Sequence, residues 1–305
     1  MQTIYPYFFV PLPRVSCRRE RLETPDGDFI DLDWIDGDAH APLVVLFHGL
    51  EGSSRGHYAV SLLAAIKHQG WRGVVPHFRG CSGEANRLPR AYHSGDSAEI
   101  DWILRHLKNA NPAIPLYAAG VSLGGNALLK WLGEQQHNAI HVVQAAVAIS
   151  APVDLAAAGR ALDQGFNKFT YTRHFLRTLK HKAERKFQQH RLTLNRATIR
   201  AADTLYQFDD AYTAPIHGFR DADDYWQQAS SKPWLLQIQV PTLLLNALND
   251  PFLPAAALPR ADQVSPCVIR EFPEQGGHAG FVSGPFPGNL DWLPARILSF
   301  MAHTQ

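Results

Sequence analysis

Four short, continuous apolar runs mark the first half of the chain, at residues 43–47, 73–76, 116–121 and 142–149. Runs without polar alternation are typical of strands that are buried on both faces of a sheet. Between the runs, residues 58–69 and 97–109 repeat apolar side chains at intervals of three and four, which predicts helices. Asp96, with Glu99 three positions later, predicts a capping box at the start of the second helix.

The alternation of strands and helices predicts an α/β protein whose central sheet is mostly parallel and flanked by helices. Ahead of this pattern, residues 19–35 alternate around an Asp26-Gly27 turn. This alternation predicts an antiparallel hairpin. Later in the chain, strands are predicted at residues 240–248 and 267–272, and a last helix at residues 290–303.

The strand pattern stops between residues 153 and 232, where a long basic and aromatic helical stretch, residues 166–191, precedes an acidic one. An insertion between two halves of one sheet explains this change. We therefore predict an α/β core in two parts with a helical cap between them. The predicted parts are residues 1–152 with the hairpin and the nucleophile, 153–235 as the cap, and 236–305 with the acid and histidine loops.

The overall charge of the 305 residues is close to zero, since 29 Lys and Arg face 28 Asp and Glu. With 46% hydrophobic and 19% charged residues, the composition is that of an ordinary globular protein. Residues 160–200, however, hold 11 Lys and Arg against 2 Asp and Glu, a net charge of +9 in a chain whose remainder carries −8. Within this segment, the basic stretch at residues 173–191 is either a solvated helix face or a surface for anionic lipids or acidic substrates. Nucleic-acid binding is not expected, because no recognised reading module accompanies the charge.

The cysteines indicate a reducing environment. Cys17, Cys81 and Cys267 are odd in number and form no CxxC pair, which argues against a disulfide framework or a cysteine-built metal site. A cytoplasmic location is the prediction that follows. No run of 18 apolar residues occurs, and the apolar first 13 residues hold three prolines and no basic residue, which suits neither a signal peptide nor a spanning helix.

Residues 120–124 (GVSLG) match the GxSxG pattern around Ser122. About one chain in ten of this length would carry such a match by chance, so the context decides its meaning. The pattern follows a predicted buried strand and leads into a predicted helix at residues 126–134. That is the setting of a nucleophile elbow, in which a strained turn holds a serine hydroxyl above the sheet.

A serine needs a base and an orienting carboxylate to act as a nucleophile, and this fold places both on later strands. Asp250 follows the apolar run at 243–248, and His278 lies between small residues just past the run that ends at Phe272. The open alternatives are a turn-forming aspartate and a surface histidine. Asp154, after the run at 142–149, is the reserve carboxylate.

Two backbone amides are predicted to stabilise the oxyanion of acyl transfer. Leu50 lies in the loop after the first buried strand, and Leu123 follows the nucleophile. His48, at the start of that loop, is expected to shape it rather than to act as a base. Phosphate-loop, dinucleotide and HExxH zinc motifs are absent from the sequence, so no cofactor and no metal are predicted.

These residues together resemble the α/β hydrolases, and more narrowly the YheT-like branch, also called the AB-hydrolase-4 family. The motifs that carry the resemblance are FHGLEGSS (47–54), Tyr58, HFRGCSG (77–83), Asp96, GVSLGGNALLKWLGE (120–134), Asn249-Asp250-Pro251 and Gly277-His278. They span about residues 20 to 300. The resemblance implies a Ser122, His278 and Asp250 triad in a cofactor-free serine esterase, with lipid or short-chain acyl esters as substrates.

The functional prediction is hydrolysis of carboxylic esters through an acyl-enzyme, with an ester or lipid as the partner molecule and a peripheral membrane contact as a further option. The same triad would serve a thioesterase, an amidase or an acyltransferase, because it activates the nucleophile whatever the leaving group. A non-catalytic binding protein on this fold is the alternative from a different class.

Overall fold

Eight strands form one continuous sheet in the computed structural model, which describes residues 2–304. The strands are β1 (Arg18–Glu23), β2 (Phe29–Ile35), β3 (Leu43–Phe47), β4 (Arg72–Pro76), β5 (Leu116–Val121), β6 (Ala145–Ile149), β7 (Thr242–Leu245) and β8 (Val268–Glu271). Their order is β1-β2-β4-β3-β5-β6-β7-β8. Strand β2 pairs antiparallel with β1 and β4, and all other pairs are parallel. The predicted mostly parallel α/β fold is confirmed.

Twelve α-helices accompany the sheet within these residues. They are α1 (Tyr5–Phe9), α2 (His57–His68), α3 (Ser97–Ala110), α4 (Leu123–Gln135), α5 (Leu155–Leu162), α6 (Gly165–Asn167), α7 (Arg173–Gln189), α8 (Arg196–Ala201), α9 (Leu205–Phe208), α10 (Ala214–His217), α11 (Ala222–Ala229) and α12 (Trp292–Ala302). Lys168–Thr172 and Asp209–Thr213 are π-helical, and Gln136–His141, Lys232–Gln237, Ala255–Ala257 and Ala261–Gln263 are 3₁₀-helical. No helix in residues 2–304 is both long and apolar enough to cross a bilayer.

The sheet is buried between two apolar layers. Strands β3, β5, β6 and β7 are buried along their whole length, as their continuous apolar runs predict. Helices α3 and α4 pack on one face of the sheet, and α2 and α12 pack on the other. The strands are therefore held within the core, and the carboxyl ends of the parallel strands lie together at one protected edge of the sheet.

The strand and helix boundaries differ from the sequence predictions in a few places. Strand β6 begins at Ala145 rather than at 142, because a 3₁₀ helix ends at His141 and the next three residues connect it to the strand. Strand β7 begins only at Thr242, after Pro241, which has no amide hydrogen for the ladder. Half of the predicted capping box is wrong: Asp96 accepts from the Glu99 amide at 3.4 Å, but the Glu99 carboxylate instead binds Arg79 Nε at 2.6 Å.

Between β6 and β7 the chain passes through seven α-helices, α5 to α11. These helices form two apolar clusters of their own, one with α7, α8 and α9 and one around Trp226 of α11. Helices thus occupy the stretch where a cap was predicted. The division of the chain at residues 153 and 235 remains a prediction.

Asp33, a buried carboxylate on β2, binds residues of two loops at one edge of the sheet. Asp33 accepts hydrogen bonds from Arg19 Nε at 2.7 Å, His77 Nε2 at 2.9 Å and Ser54 Oγ at 2.6 Å. Burial raises the pKa of Asp33, but the three hydrogen bonds lower it more, so the pKa lies well below its usual range. Ser54 and His77 belong to the loops after β3 and β4, and Asp33 therefore fixes their relative position.

Replacing Asp33→Asn should lower the free energy of unfolding by about 2–3 kcal/mol at neutral pH, because buried donors lose an ionised partner. A carboxylate whose pKa is depressed by folding stabilises the protein above its unfolded pKa and loses that contribution as the pH falls. The difference between the two proteins should therefore stay nearly constant from about pH 7 to pH 5 and shrink as the pH falls further, below about pH 4, the usual pKa of an unfolded aspartate. Urea unfolding followed by tryptophan fluorescence measures it.

The control is Asp36→Asn, because Asp36 is an exposed carboxylate that pairs with Arg18 just past the same strand. Exposed pairs contribute about 0–1 kcal/mol, so this variant should unfold close to the wild-type midpoint. Equal midpoints for Asp33→Asn and wild type at neutral pH would contradict the role of Asp33.

Candidate active site

Ser122 occupies a sharp turn between β5 and α4. Its backbone has φ 54° and ψ −121°, a conformation that costs a serine about 1–3 kcal/mol. The turn brings chain segments so close that side chains cannot fit beside it. A Cβ on Gly120 would lie 2.5 Å from Gly124 O, and a Cβ on Gly124 would lie 2.5 Å from Phe47 O. The glycines of GxSxG are therefore required by the packing of the turn.

The loop after β3 passes directly beside Ser122. A Cβ on Gly49 would lie 3.1 Å from Ser122 Cβ and 3.7 Å from its Oγ. Leu50, the next residue, lines the same cavity as Ser122 and Leu123. The two predicted oxyanion residues thus flank Ser122, one from this loop and one from the first turn of α4.

His278 and Asp250 form a hydrogen-bonded pair after β8 and β7. Nδ1 of His278 lies 2.9 Å from Asp250 Oδ2 and 3.1 Å from Oδ1. The Asp250 side chain is fully buried and that of His278 is 10% exposed. The ring of Phe252 stacks on the imidazole at a centroid distance of 4.0 Å. Asp250 therefore holds one ring nitrogen, and Phe252 fixes the plane of the ring.

The backbone around His278 is held from two sides. The His278 amide donates to Thr3 Oγ1 at 2.9 Å, and the Ala279 amide donates to Ser150 Oγ at 3.1 Å. Ser150 follows directly after β6, and β6 pairs with β5, directly after which Ser122 lies. Within residues 2–304, however, no hydrogen bond joins Ser122 Oγ to His278. Hydrogen bonds of this kind are often long in a site without substrate.

Asp154, the reserve carboxylate, lies elsewhere. Its side chain accepts from the Ala157 amide at 3.0 Å and caps α5, and Lys232 Nζ lies 3.6 Å from it. The structure therefore brings His278 together with Asp250 and not with Asp154.

His48 and Tyr58 hold the loop that carries Leu50. His48 Nε2 accepts from the Phe78 amide at 3.0 Å, so its Nδ1 must carry the hydrogen that is donated to Gly49 O at 2.8 Å. Burial lowers the pKa of His48 to about 3, which keeps the ring neutral. Tyr58 Oη accepts from the Gly49 amide at 3.0 Å. His48 thus shapes the loop.

A second group of side chains, which the sequence pattern does not reveal, holds the next residue of this loop. Glu51 has a φ of 55°. Its amide donates to Tyr92 Oη at 2.9 Å, and its carboxylate accepts from Tyr92 Oη and Lys182 Nζ, both at 2.7 Å. Tyr92 and Lys182 lie 41 and 131 residues from Glu51, so no local motif could have indicated them. Lys182 also lies 3.2 Å from Cys81 Sγ, and burial raises the pKa of that thiol to about 11.

A cavity of about 660 Å³ opens beside Ser122. One wall is apolar and comes mainly from Leu155, Leu162, Leu205, Phe208, Trp226 and Phe252. The other wall, which we call basic, comes from α7, where Arg177, His181, Lys182, Arg185 and Lys186 line the cavity together with Phe175 and Leu179. The site can therefore hold an apolar chain on one side and an anionic group on the other. In residues 2–304, no group of three or more His, Cys, Asp or Glu side chains is arranged to bind a metal ion.

Comparison with known proteins gives consistent matches. The sequence profile of the α/β-hydrolase fold family matches residues 42–285. YheT of Escherichia coli (strain K12), which is named provisionally as an esterase, is 41% identical over 302 residues, which are 97% of this chain and 88% of YheT. Phospholipase ABHD3 of Mus musculus is 30% identical over 309 residues, 98% of this chain and 75% of the phospholipase. The solved structure of the Pyrococcus furiosus esterase Pf2001 covers 97% of this chain and 98% of its own, with a TM-score of 0.61 at 16% identity, a likeness of fold.

Proposed function

The chain belongs to the α/β-hydrolase fold family, and on that premise we propose that it is a serine hydrolase that cleaves carboxylic esters through an acyl-enzyme. The observation that carries the proposal is the position of Ser122 on a strained turn beside a large cavity, with the His278 and Asp250 pair at the same edge of the sheet. The esterase and phospholipase names of its relatives support the same class of reaction.

In the proposed first step, Ser122 Oγ attacks the ester carbonyl while His278 Nε2 takes the hydroxyl proton. Asp250 accepts the Nδ1 hydrogen of His278, which leaves Nε2 free as the base and stabilises the imidazolium that forms. The tetrahedral intermediate then expels the alcohol, which receives the proton from His278. The acyl group remains on Ser122. Water, deprotonated by His278, attacks this acyl-enzyme, and the second tetrahedral intermediate expels Ser122 Oγ, which takes the proton back from His278 as the carboxylic acid leaves.

The oxyanion of each tetrahedral intermediate would be stabilised by the amides of Leu50 and Leu123. Leu123 begins α4, where backbone amides have no partner within the helix and the helix dipole favours negative charge. The Leu50 amide comes from the loop that His48, Tyr58 and Glu51 hold in place. This chemistry uses side chains and backbone alone and needs no cofactor.

Lipid or short-chain acyl esters are the substrates we propose. The apolar wall of the cavity suits an acyl chain, and a volume of about 660 Å³ is typical of sites for small molecules.

For the location of the protein we propose the cytoplasm. Cys17, Cys81 and Cys267 are free thiols, which fits the reducing conditions of that compartment.

Replacing Ser122→Ala should lower kcat for a p-nitrophenyl ester at least about 1,000-fold, because the nucleophile is lost. The measurement is a series of p-nitrophenyl esters of increasing chain length, assayed with wild type and variant in parallel. The chain length at which kcat/KM stops rising reports the depth of the apolar wall. Ser53→Ala is the control, since Ser53 lies in the neighbouring loop and its hydroxyl, among the residues that the structure describes, bonds only the Arg55 amide. Full turnover by Ser122→Ala would contradict the mechanism.

Replacing Lys182→Met should lower kcat about 10- to 100-fold, because the loop that presents Leu50 loses one of its charged restraints. An acetyl ester is the substrate of choice, since it is too short to depend on the basic wall, and its KM should change little. Lys182→Arg keeps the charge and should recover most of the rate. Unchanged kcat in Lys182→Met would show that Glu51 needs no such restraint.

A further inference from the structure

Five of the exposed aromatic side chains lie in two short segments of the chain. Tyr7, Phe8 and Phe9 of α1 are 75%, 66% and 59% exposed, and Phe166 and Phe169 are 71% and 74% exposed. A contiguous apolar patch on a soluble surface usually marks an interaction site. We refer to these five residues as the aromatic rim.

Both parts of the aromatic rim adjoin residues that lie close to His278. Thr3, which precedes α1, accepts from the His278 amide at 2.9 Å, and its side chain lies beside that of Tyr171. Tyr171 belongs to the π-helical turn that contains Phe169, and its ring contacts Phe252 at a centroid distance of 4.7 Å. Tyr171 and Thr3 therefore connect both sets of rings to the catalytic edge of the sheet.

An exposed row of basic side chains continues from the aromatic rim along α7. Arg173, Arg177, His181 and Arg185 follow Phe169 at intervals of four residues, which places them on one helix face, and all four are exposed. Within the described part of the chain, none of the three arginines pairs with a carboxylate. We call Arg173, Arg177 and Arg185 the cationic stripe. Two of its members, Arg177 and Arg185, line the cavity beside Ser122.

We propose that the aromatic rim and the cationic stripe dock the mouth of the cavity onto an anionic lipid bilayer. Aromatic rings enter the interfacial region of a bilayer, and arginines bind the anionic headgroups at its surface. An acidic protein could pair with the arginines but would not account for five exposed rings. This surface needs no chemistry at Ser122, so the proposal goes beyond the proposed function and stands independently of it.

The test is sedimentation of the full chain with vesicles, using wild type and, to prevent any lipid hydrolysis, Ser122→Ala. Vesicles of phosphatidylcholine with about one third phosphatidylglycerol are compared with phosphatidylcholine alone. Both proteins should bind the anionic vesicles at least about tenfold more strongly. Raising the salt from about 50 to 500 mM should remove most of this difference, because counterions screen exposed charges.

Two sets of substitutions separate the parts of the surface. Phe8→Ser, Phe9→Ser, Phe166→Ser and Phe169→Ser together should lower vesicle partitioning at least about 100-fold, since each ring buries apolar area. Leu236→Ser with Ile269→Ser is the control, because both residues are exposed apolar side chains outside the rim. The Phe variant should keep its kcat/KM on a soluble acetyl ester, and circular dichroism checks its fold.

The arginine variant, Arg173→Gln, Arg177→Gln and Arg185→Gln, should lose about fivefold in partitioning for each charge, about 100-fold in total. Arg18→Gln, Lys67→Gln and Arg260→Gln change the net charge equally at exposed positions elsewhere and should bind like wild type. Failure of wild type to bind anionic vesicles at low salt would overturn the proposal, as would undiminished binding by either variant set. Binding to an acidic protein without binding to vesicles would also overturn it.

Discussion

The strained turn at Ser122 is the constraint on which the rest of the site depends. A serine with φ 54° is stable only where the surrounding backbone forces it. Here β5 ends at Val121 inside a buried parallel sheet and α4 begins at Leu123, so the chain must turn at Ser122. Because a helix cannot start there without close contact with β3, the glycines at 120 and 124 follow from the same geometry. This strained turn places the Ser122 hydroxyl at the protected edge of the sheet.

Buried polar contacts then position the loops around this hydroxyl. His48 and Tyr58 hold the backbone at Gly49, and Tyr92 and Lys182 hold Glu51. Lys182 belongs to α7, so one of the helices between β6 and β7 directly braces the loop after β3. The protein supplies both partners of each of these contacts, so the loop would need little reorganisation as charge develops on the proposed ester substrate.

The sequence was sufficient to predict the fold and to select candidate site residues at strand ends, because both depend on local patterns. Continuous apolar runs predicted the buried parallel strands, and the order of GVSLG, Asn249-Asp250 and Gly277-His278 placed Ser122, Asp250 and His278 at strand ends. Local patterns failed where a distant partner decides the outcome. Glu99 binds Arg79 instead of completing its capping box, and Lys182 reaches Glu51 across 131 residues. The exposed rings near His278 also needed the structure, because their neighbours come from separate parts of the chain.

The central claim is that Ser122 is a nucleophile activated by His278. Its most direct test is mass spectrometry of the protein after reaction with a fluorophosphonate, which labels only an activated serine. The account predicts one adduct per chain, located on the peptide that contains Ser122, and a marked loss of labelling in His278→Ala. An unlabelled wild-type protein, or an adduct on a different residue, would contradict it.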